Sequence, residues 1–343
     1  MERKTLFGLN LAQLTVLVQT EGFPRFTARQ IADWLYKKDI TSIEEMTNLS
    51  TKIRGVLAEK YDFGVAPPSR VSESVDGTKK YLFTTQNKKF VEAAFIPEGD
   101  RATLCVSSQV GCKMGCLFCM TGKQGFQGNL TAGEIVNQLR GIPERHGITS
   151  IVYMGMGEPF DNIESVLTSL EILTSEWGMA MSPRRITVST IGVIPAMHQY
   201  LEQSQCHLAV SLHTPFDQER RSLMPIQNVY TIQEVVDEIR KFDFSGQRRV
   251  SFEYIMLDNF NDTPKHVSGM VKLLANLQCR VNLIRFHQIP GTPLKGSPDD
   301  RIFAFRDSLT SKGIYTTVRA SRGEDIQAAC GLLSTKELAK INN

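Results

Sequence analysis

The run Arg101–Phe126, RATLCVSSQVGCKMGCLFCMTGKQGF, decides what this chain can be. It opens on a short apolar strand, Thr103–Val106. The strand leads into one loop holding Cys112, Cys116 and Cys119 in the spacing C-x3-C-x2-C. Three thiolates hold three irons of a [4Fe–4S] cluster, and a fourth cysteine is the usual completion. None follows in this loop. A cluster bound here keeps one iron open to a ligand that is not protein, and an open metal position is where chemistry takes place. A structural zinc site is the competing reading, but no nearby His or Cys has the spacing to close it. A redox pair Cys116-x-x-Cys119 leaves Cys112 unexplained.

Downstream, short apolar strands alternate with amphipathic helices. The expected strands are Thr103–Val106, Ser150–Met154, Arg185–Ser189, His207–Ser211, Val250–Met256, Arg280–Phe286 and Thr316–Arg319. Two intervening helices open on capping boxes, Thr131 to Glu134 and Thr231 to Glu234. This alternation predicts a parallel sheet. Six or seven such units predict a barrel or partial barrel, whose site gathers at the C-terminal ends of the strands. The cysteine loop follows the first of these strands and so falls at that end.

Upstream, residues 1 to about 65 read as helical. Phe26–Lys38 sets Phe26, Ile31, Trp34 and Leu35 near one face, and Thr41–Met46 and Leu49–Tyr61 read as further helices. Pro67-Pro68 is a linker signal. A hairpin follows, Val71–Val75 into the turn Asp76-Gly77 and out through Lys80–Thr84. The next strand, Phe90–Ile96, carries Glu92. The boundaries expected are 1–68 for a helical accessory domain, 69–102 for a β extension, 103–335 for the barrel and 336–343 for a tail.

Composition bounds the rest. The chain has 343 residues, 41% hydrophobic and 22% charged, with a formal net charge of +3. That is an ordinary globular composition, and the charge neither requires nor excludes a nucleic-acid partner. There is no apolar run of about 20 residues to span a bilayer and no signal-peptide core at the N-terminus, so a cytoplasmic protein is expected. Seven cysteines, an odd number, argue against a secreted disulfide framework. Cys206 and Cys279 read as buried structural thiols. The pairs Arg184-Arg185, Arg220-Arg221 and Arg248-Arg249 read equally as phosphate contacts or as solvated surface.

Other residues stand where a cluster-bound ligand would need them. Ser150–Met154 runs into Gly155-Met-Gly-Glu-Pro159, where glycines allow close backbone approach and Glu158 offers an acceptor to an ammonium group. Ser189, Ser211, Leu212 and His213 end two later strands at the same rim.

The cysteine spacing is the hallmark of radical S-adenosylmethionine (SAM) enzymes, and Phe118 before Cys119 matches the aromatic common there. Longer stretches narrow the resemblance. CVSSQVGCKMGCLFCMTGKQGF (105–126), YMGMGEP (153–159), RRITVSTIG (184–192), LAVSLH (208–213), RSLMPI (221–226), FEYIML (252–257) and RGEDIQAACG (322–331) together resemble the RlmN/Cfr family of radical SAM RNA methyltransferases. The likeness runs from about residue 20 to about residue 335.

The resemblance implies a partial (β/α)6 TIM-like barrel with a small N-terminal helical domain, one [4Fe–4S] cluster per chain on Cys112, Cys116 and Cys119, and SAM as cosubstrate. It implies SAM contacts at Gly157, Glu158, Ser189, Ser211, Leu212, His213 and His287. It makes Cys330 a methyl carrier, Cys105 the thiol that resolves a protein–RNA adduct by forming a Cys105–Cys330 disulfide, and Glu92 the acceptor of the ring proton. The implied reaction is methylation of C2 of adenosine 2503 in 23S rRNA and of adenosine 37 in some tRNAs. The alternatives are C8 methylation of the same ribosomal base, as in Cfr, and a non-catalytic iron–sulfur protein that binds RNA or senses redox state. VGCKMGC, TGKQGF and the PGTP stretch near Pro290 favour the C2-methylating branch. Implied partners are the two RNAs and an electron donor such as flavodoxin, with a monomer as the working unit and no membrane. Two departures stand out. His287 in NLIRFHQIPG replaces the usual Asn, and both side chains hydrogen-bond an adenosine; Met120 replaces the usual Ala.

Overall fold

Ten strands form one sheet whose spatial order follows the chain. The computed structural model describes residues 3–326. In chain order the sheet contains β1 (Arg70–Glu73), β2 (Lys79–Thr84), β3 (Phe90–Glu98), β4 (Arg101–Cys105), β5 (Ser150–Tyr153), β6 (Ile186–Thr190), β7 (His207–Ser211), β8 (Val250–Met256), β9 (Cys279–Arg285) and β10 (Tyr315–Val318). The strands from β1 to β4 pair antiparallel, and those from β4 to β10 pair parallel.

The helices are α1 (Leu11–Thr20), α2 (Thr27–Lys37), α3 (Thr51–Lys60), α4 (Met120–Gln124), α5 (Ala132–Arg140), α6 (Ile163–Thr174), α7 (Ile194–Gln203), α8 (Asp217–Leu223), α9 (Ile232–Ile239), α10 (Pro264–Leu273) and α11 (Asp299–Ser311). A helix follows each strand from β4 to β9, because a parallel neighbour can be reached only by a crossover. The architecture is the expected partial TIM-like barrel: β1 pairs only with β2, and β10 only with β9, so the sheet does not close on itself through strand pairing among the described residues.

Local chemistry explains the elements. Thr131 and Glu134 cap α5 reciprocally, at 3.1 and 2.8 Å; Thr231 and Glu234 do the same for α9, at 3.2 and 2.7 Å. In α2, Ala28, Ile31, Ala32 and Leu35 are buried on one stripe. Phe26 is exposed and Trp34 partly so, so that stripe is narrower than the sequence reading drew it. The helix expected over Thr41–Met46 is a single 3-10 turn, Ile43–Glu45, because the Glu45 carboxylate turns back to accept from the amides of Thr41 and Ser42.

Buried side chains of the N-terminal helices and of the barrel form one continuous core, from Leu6 to Leu309. The hairpin sheet has two faces. Tyr81, Phe83, Val91 and Ala93 join that core. Lys80, Leu82, Glu92 and Ala94 face the other way, as period-2 alternation requires. Of the two thiols read as structural, Cys206 is buried, whereas Cys279 at the start of β9 is partly exposed. No helix among the described residues is long and apolar enough to cross a membrane.

Candidate functional site

Register places Lys80, Glu92 and Cys105 on one face of the sheet, the one opposite Tyr81, Ala93 and Leu104. Lys80 pairs with Ala94, Ala94 with Cys105 and Cys105 with Val152, so the four occupy one row across β2, β3, β4 and β5. Glu92 precedes Ala94 by two residues and shares its face. The Lys80 ammonium lies 3.1 Å from the Glu92 carboxylate, and both side chains are buried. Ser107, one step beyond Cys105 on the same face, donates to the Glu92 carbonyl at 2.6 Å. Burial pushes the Cys105 thiol up to about 11, against the opposing pull of the Met154 amide and the Arg319 charge. Cys330 lies outside the described residues.

The cysteine loop lies beyond the end of β4. Cys112 and Cys116 are buried and Cys119 is partly exposed. Burial pushes Cys112 up to about 12 and raises Cys116 further, and charge on Cys119 adds to both. The three thiols are thus close neighbours. Among the described residues no group of three such side chains stands ready to hold a single metal ion. The donor set fits an iron–sulfur cluster. Thiolates are the soft ligands that suit iron, and Ile191, Leu223, Met224 and Phe286 give the loop an apolar wall. Arg220 places a positive charge against Cys116.

Arg220 is the main correction to the arginine reading. It is fully buried. Its guanidinium donates to the carbonyls of Ile191 at 2.8 Å, Ser211 at 3.1 Å and Leu212 at 3.3 Å, and to Gln227 at 2.6 Å. Burial lowers it only to about 10, so it stays charged at neutral pH. It ties the ends of β6 and β7 together, while the carbonyl of Leu223, at the end of the same helix, accepts from the Leu117 amide at 3.0 Å. Arg248 is likewise occupied by the carbonyls of Leu201 and Ser204. Arg184, Arg185 and Arg249 precede their strands and lie at the end away from the cysteine loop. Of the six, Arg221 alone is exposed at the loop end. Arg220→Met is expected to destabilise the protein by about 3 kcal/mol or more, since several buried acceptors lose a charged donor. Arg220→Lys should recover only part, because an ammonium cannot span four acceptors. Denaturant unfolding measures this, and an unchanged midpoint for Arg220→Met would remove Arg220 from the frame.

Glu158 is engaged within the protein as well. Its carboxylate is buried and already accepts from Thr190 Oγ1 at 2.6 Å, Phe160 N at 3.1 Å and Ile191 N at 3.0 Å. Burial outweighs these bonds and pushes it up to about 7. The side chain clasps the 155–158 loop to β6 and keeps little acceptor capacity for a ligand. The glycines have an internal reason as well. A Cβ on Gly155 would sit 2.5 Å from Ser107 Oγ, and one on Gly157, at φ +97°, 2.5 Å from Gln109 Cβ. They admit the 107–109 segment.

His213 sits in the left-handed region at φ 61°. Its Nδ1 accepts from Ile255 N at 3.1 Å, and Asn261 donates to its carbonyl at 2.7 Å. Burial, aided by Arg220, pushes it down to about 3, so it is a neutral ring with Nε2 protonated. That ring meets Phe118 of the cysteine loop edge-on, with centroids 4.6 Å apart. Ser189 and Ser211 are partly exposed on their strands, while Leu212 is buried. His287 bonds Ser321 at 3.1 Å, on the segment leading to Cys330.

Sequence reasoning missed Ser107, Gln109, Thr190, Arg220 and Asn261. It also missed Glu253, whose buried carboxylate accepts from Asn282 at 2.7 Å and lies 3.5 Å from Arg319. Ser107, Gln109, Thr190 and Glu253 share one signal, a polar residue in or just after an apolar strand, whereas Arg220, within the helix run DQERRSL, and Asn261, in a polar turn, carry none.

Comparison with known proteins agrees with this architecture. The radical SAM superfamily model matches residues 106–270, and that of the ribosomal RNA large subunit methyltransferase N-terminal domain matches residues 4–62. A probable dual-specificity RNA methyltransferase RlmN of Parabacteroides distasonis is 54% identical over 335 residues, 98% of each chain. One from Porphyromonas gingivalis is 55% identical over 332 residues, 97% of each chain. The crystal structure of a radical SAM methyltransferase from Sphaerobacter thermophilus superposes with a TM-score of 0.88 at 40% identity, covering 96% of this chain and 98% of that one.

Proposed function

The chain belongs to the RlmN family of dual-specificity radical SAM RNA methyltransferases, and we infer that it methylates C2 of adenosine 2503 in 23S rRNA and C2 of adenosine 37 in some tRNAs. Cys112, Cys116 and Cys119 would hold the [4Fe–4S] cluster, and the rim around Gly157, Glu158, Ser189, Ser211, Leu212, His213 and His287 would receive SAM, Glu158 offering the acceptor position that its three internal bonds leave. The cluster and SAM together supply a 5′-deoxyadenosyl radical, which removes hydrogen from carbon that no acid or base can activate.

The chain's own residues carry the methyl group. Cys330 is the carrier, its sulfur bonded first to the methyl and then, through that carbon, to the adenine. Glu92 takes the proton from the ring carbon; its buried place beside Lys80 keeps a base out of competition with water. The Cys105 sulfur, as thiolate, then attacks the Cys330 sulfur; the carbon–sulfur bond breaks with its electron pair passing to the product carbon, which takes up a proton to become the methyl group, and a Cys105–Cys330 disulfide remains. One observation supports this reading above others: Glu92 and Cys105 share one face of the sheet. A cluster protein without catalysis has no use for that pairing.

The target base must leave its stack to be reached. The helical segment 1–68 serves RNA docking, in keeping with the family model that matches there. A flavodoxin-type electron donor, a monomeric working unit and the reducing cytoplasm, where free thiols persist, complete the proposal.

The test is mass spectrometry of adenosines after anaerobic incubation with reductant, SAM and each RNA class. 2-Methyladenosine is expected in both. Only 8-methyladenosine would replace the C2 reading with the Cfr-type one. Absence of 5′-deoxyadenosine would leave a non-catalytic cluster protein.

A further inference from the structure

Phe126 is an aromatic ring held in the open beside the cysteine loop. It is 44% exposed, yet the backbone on both sides of it is fixed. Gln127 N donates to the Val110 carbonyl at 2.8 Å, and Cys112 N to the Gly125 carbonyl at 3.2 Å. The two-residue strands Gln109–Val110 and Gly128–Asn129 pair antiparallel and close this ribbon around the three cysteines. Gly111, at φ +71°, permits the close approach, since a Cβ there would sit 1.8 Å from the Gly125 oxygen. Lys113 Nζ stands over the ring, 5.8 Å from its centroid. Asp161 pins that ammonium at 2.5 Å and is itself fixed by Gln109 Nε2 at 2.8 Å. A lone exposed apolar side chain is ordinary. This one is a rigidly mounted ring backed by a cation, in a stretch of one charge sign: Arg101–Gly133 contains Arg101, Lys113 and Lys123 and no Asp or Glu.

We propose that Phe126, with Lys113 behind it, is a stacking platform for an unpaired RNA base next to the target adenine. The proposal rests on the RNA reading given above and deepens it. A base drawn out of its stack leaves the neighbouring base with a bare face. An aromatic side chain restores that contact whatever the base. Because the backbone around Phe126 is already fixed, little freedom is lost when the base arrives. Lys113, Lys123 and Arg221 are exposed about the loop, and their charge favours a phosphate backbone. The pattern does not suit a docked protein, which covers a continuous apolar core inside a polar rim. From Gly111 to Gln127 the exposed positions are Lys113, Gly115, Leu117, Lys123 and Phe126, so apolar side chains alternate with cations and a glycine.

The experiment measures equilibrium binding of the full-length holoprotein, without reductant, to a 23S rRNA fragment carrying the target adenosine and to a tRNA carrying adenosine 37. Phe126→Ala should bind each RNA about ten- to a hundredfold more weakly, the loss of one stacked base. That factor should be the same at low and high salt, because no phosphate contact is removed. Phe126→Tyr keeps the ring and should bind as the parent does. Phe303→Ala removes another exposed ring with arginines over it, on α11, and should change nothing. Iron content reports whether the cysteine loop survives. If alanine lowers it, Phe126→Leu against Phe126→Tyr makes the same comparison at nearly full bulk, and leucine must bind more weakly. Parent-like binding by the ringless variant, or an equal loss in Phe303→Ala, overturns the platform. So does unchanged RNA binding with slowed cluster reduction by flavodoxin hydroquinone, which assigns the surface to a protein donor. If the parent binds neither RNA, the RNA reading itself fails and the platform falls with it.

Discussion

Cys105→Ala is expected to halt the protein while it is joined to its RNA. Turnover falls to nothing measurable, and a covalent adduct through Cys330 accumulates to one RNA per chain. The reason lies in what each thiol does. In the proposed mechanism hydrogen abstraction and carbon–carbon bond formation use Cys330 and the cluster, and neither needs Cys105. Release in that mechanism needs a second sulfur to attack the first, and register puts Cys105 on the same face as Glu92. Alanine leaves the strand intact, since the side chain is small and β4 is held by both neighbours. Denaturing electrophoresis with labelled RNA and mass spectrometry of the linked peptide read the outcome. Normal turnover by the variant would end the resolving role. The parent carries a second signature. With Cys105 pushed up to about 11 by burial, only a small fraction is thiolate at pH 7. Where release limits the rate, that rate should climb about tenfold per pH unit between pH 7 and 10, because the thiolate is the attacking form.

How far the site could be read beforehand depended on whether chemistry is written locally. Cys112, Cys116 and Cys119 were legible because three ligands on one loop need only sequence spacing. The barrel was legible because each strand and helix carries its own period and two capping boxes mark helix starts. Arg220 was not legible. Beside Arg221 it looks like a surface pair, and only the helix rotation shows that one points at the carbonyls of β6 and β7 while the other meets water. Glu158 was half legible. Its place at the rim followed from the strand before it, but its partner Thr190 lies 32 residues away, and no local pattern announces a bond of that span. Gly155 and Gly157 showed that backbone comes close, not which backbone. The bond from Gly323 N to Asp76 was illegible for the same reason: Asp76 read as an ordinary turn residue, and its second oxygen serves a segment at the other end of the chain.

Cys116→Ala is expected to remove iron and activity together while sparing the fold. Cys116 is the most enclosed of the three ligands, packed with Leu223, Met224, Ile255, Leu257 and Phe286. Losing one sulfur from such a wall costs on the order of 1 kcal/mol by the burial scale, too little to unfold a domain of this size. Two thiolates cannot hold three irons, so the purified variant should show neither the broad visible absorbance of a cluster nor the approximately four irons per chain of the parent. No 5′-deoxyadenosine should form from SAM, and methylation of both RNA classes should fall below detection. Serine tests the same point more strictly. It keeps the size of cysteine, but a hydroxyl is a poor partner for iron beside thiolates and a buried one needs a hydrogen bond of its own. Cys116→Ser should therefore lose the cluster as well, with a larger loss of stability than alanine. The internal control is Cys206→Ala. That thiol is buried in the main core just before β7, and burial pushes it up to about 11 just as burial raises Cys116. If protonated, buried thiols were all that these positions amounted to, the two alanine variants would behave alike. Iron loss confined to Cys116→Ala separates a ligand from a packing residue, whereas retention of iron and turnover by that variant would remove the cluster from the loop.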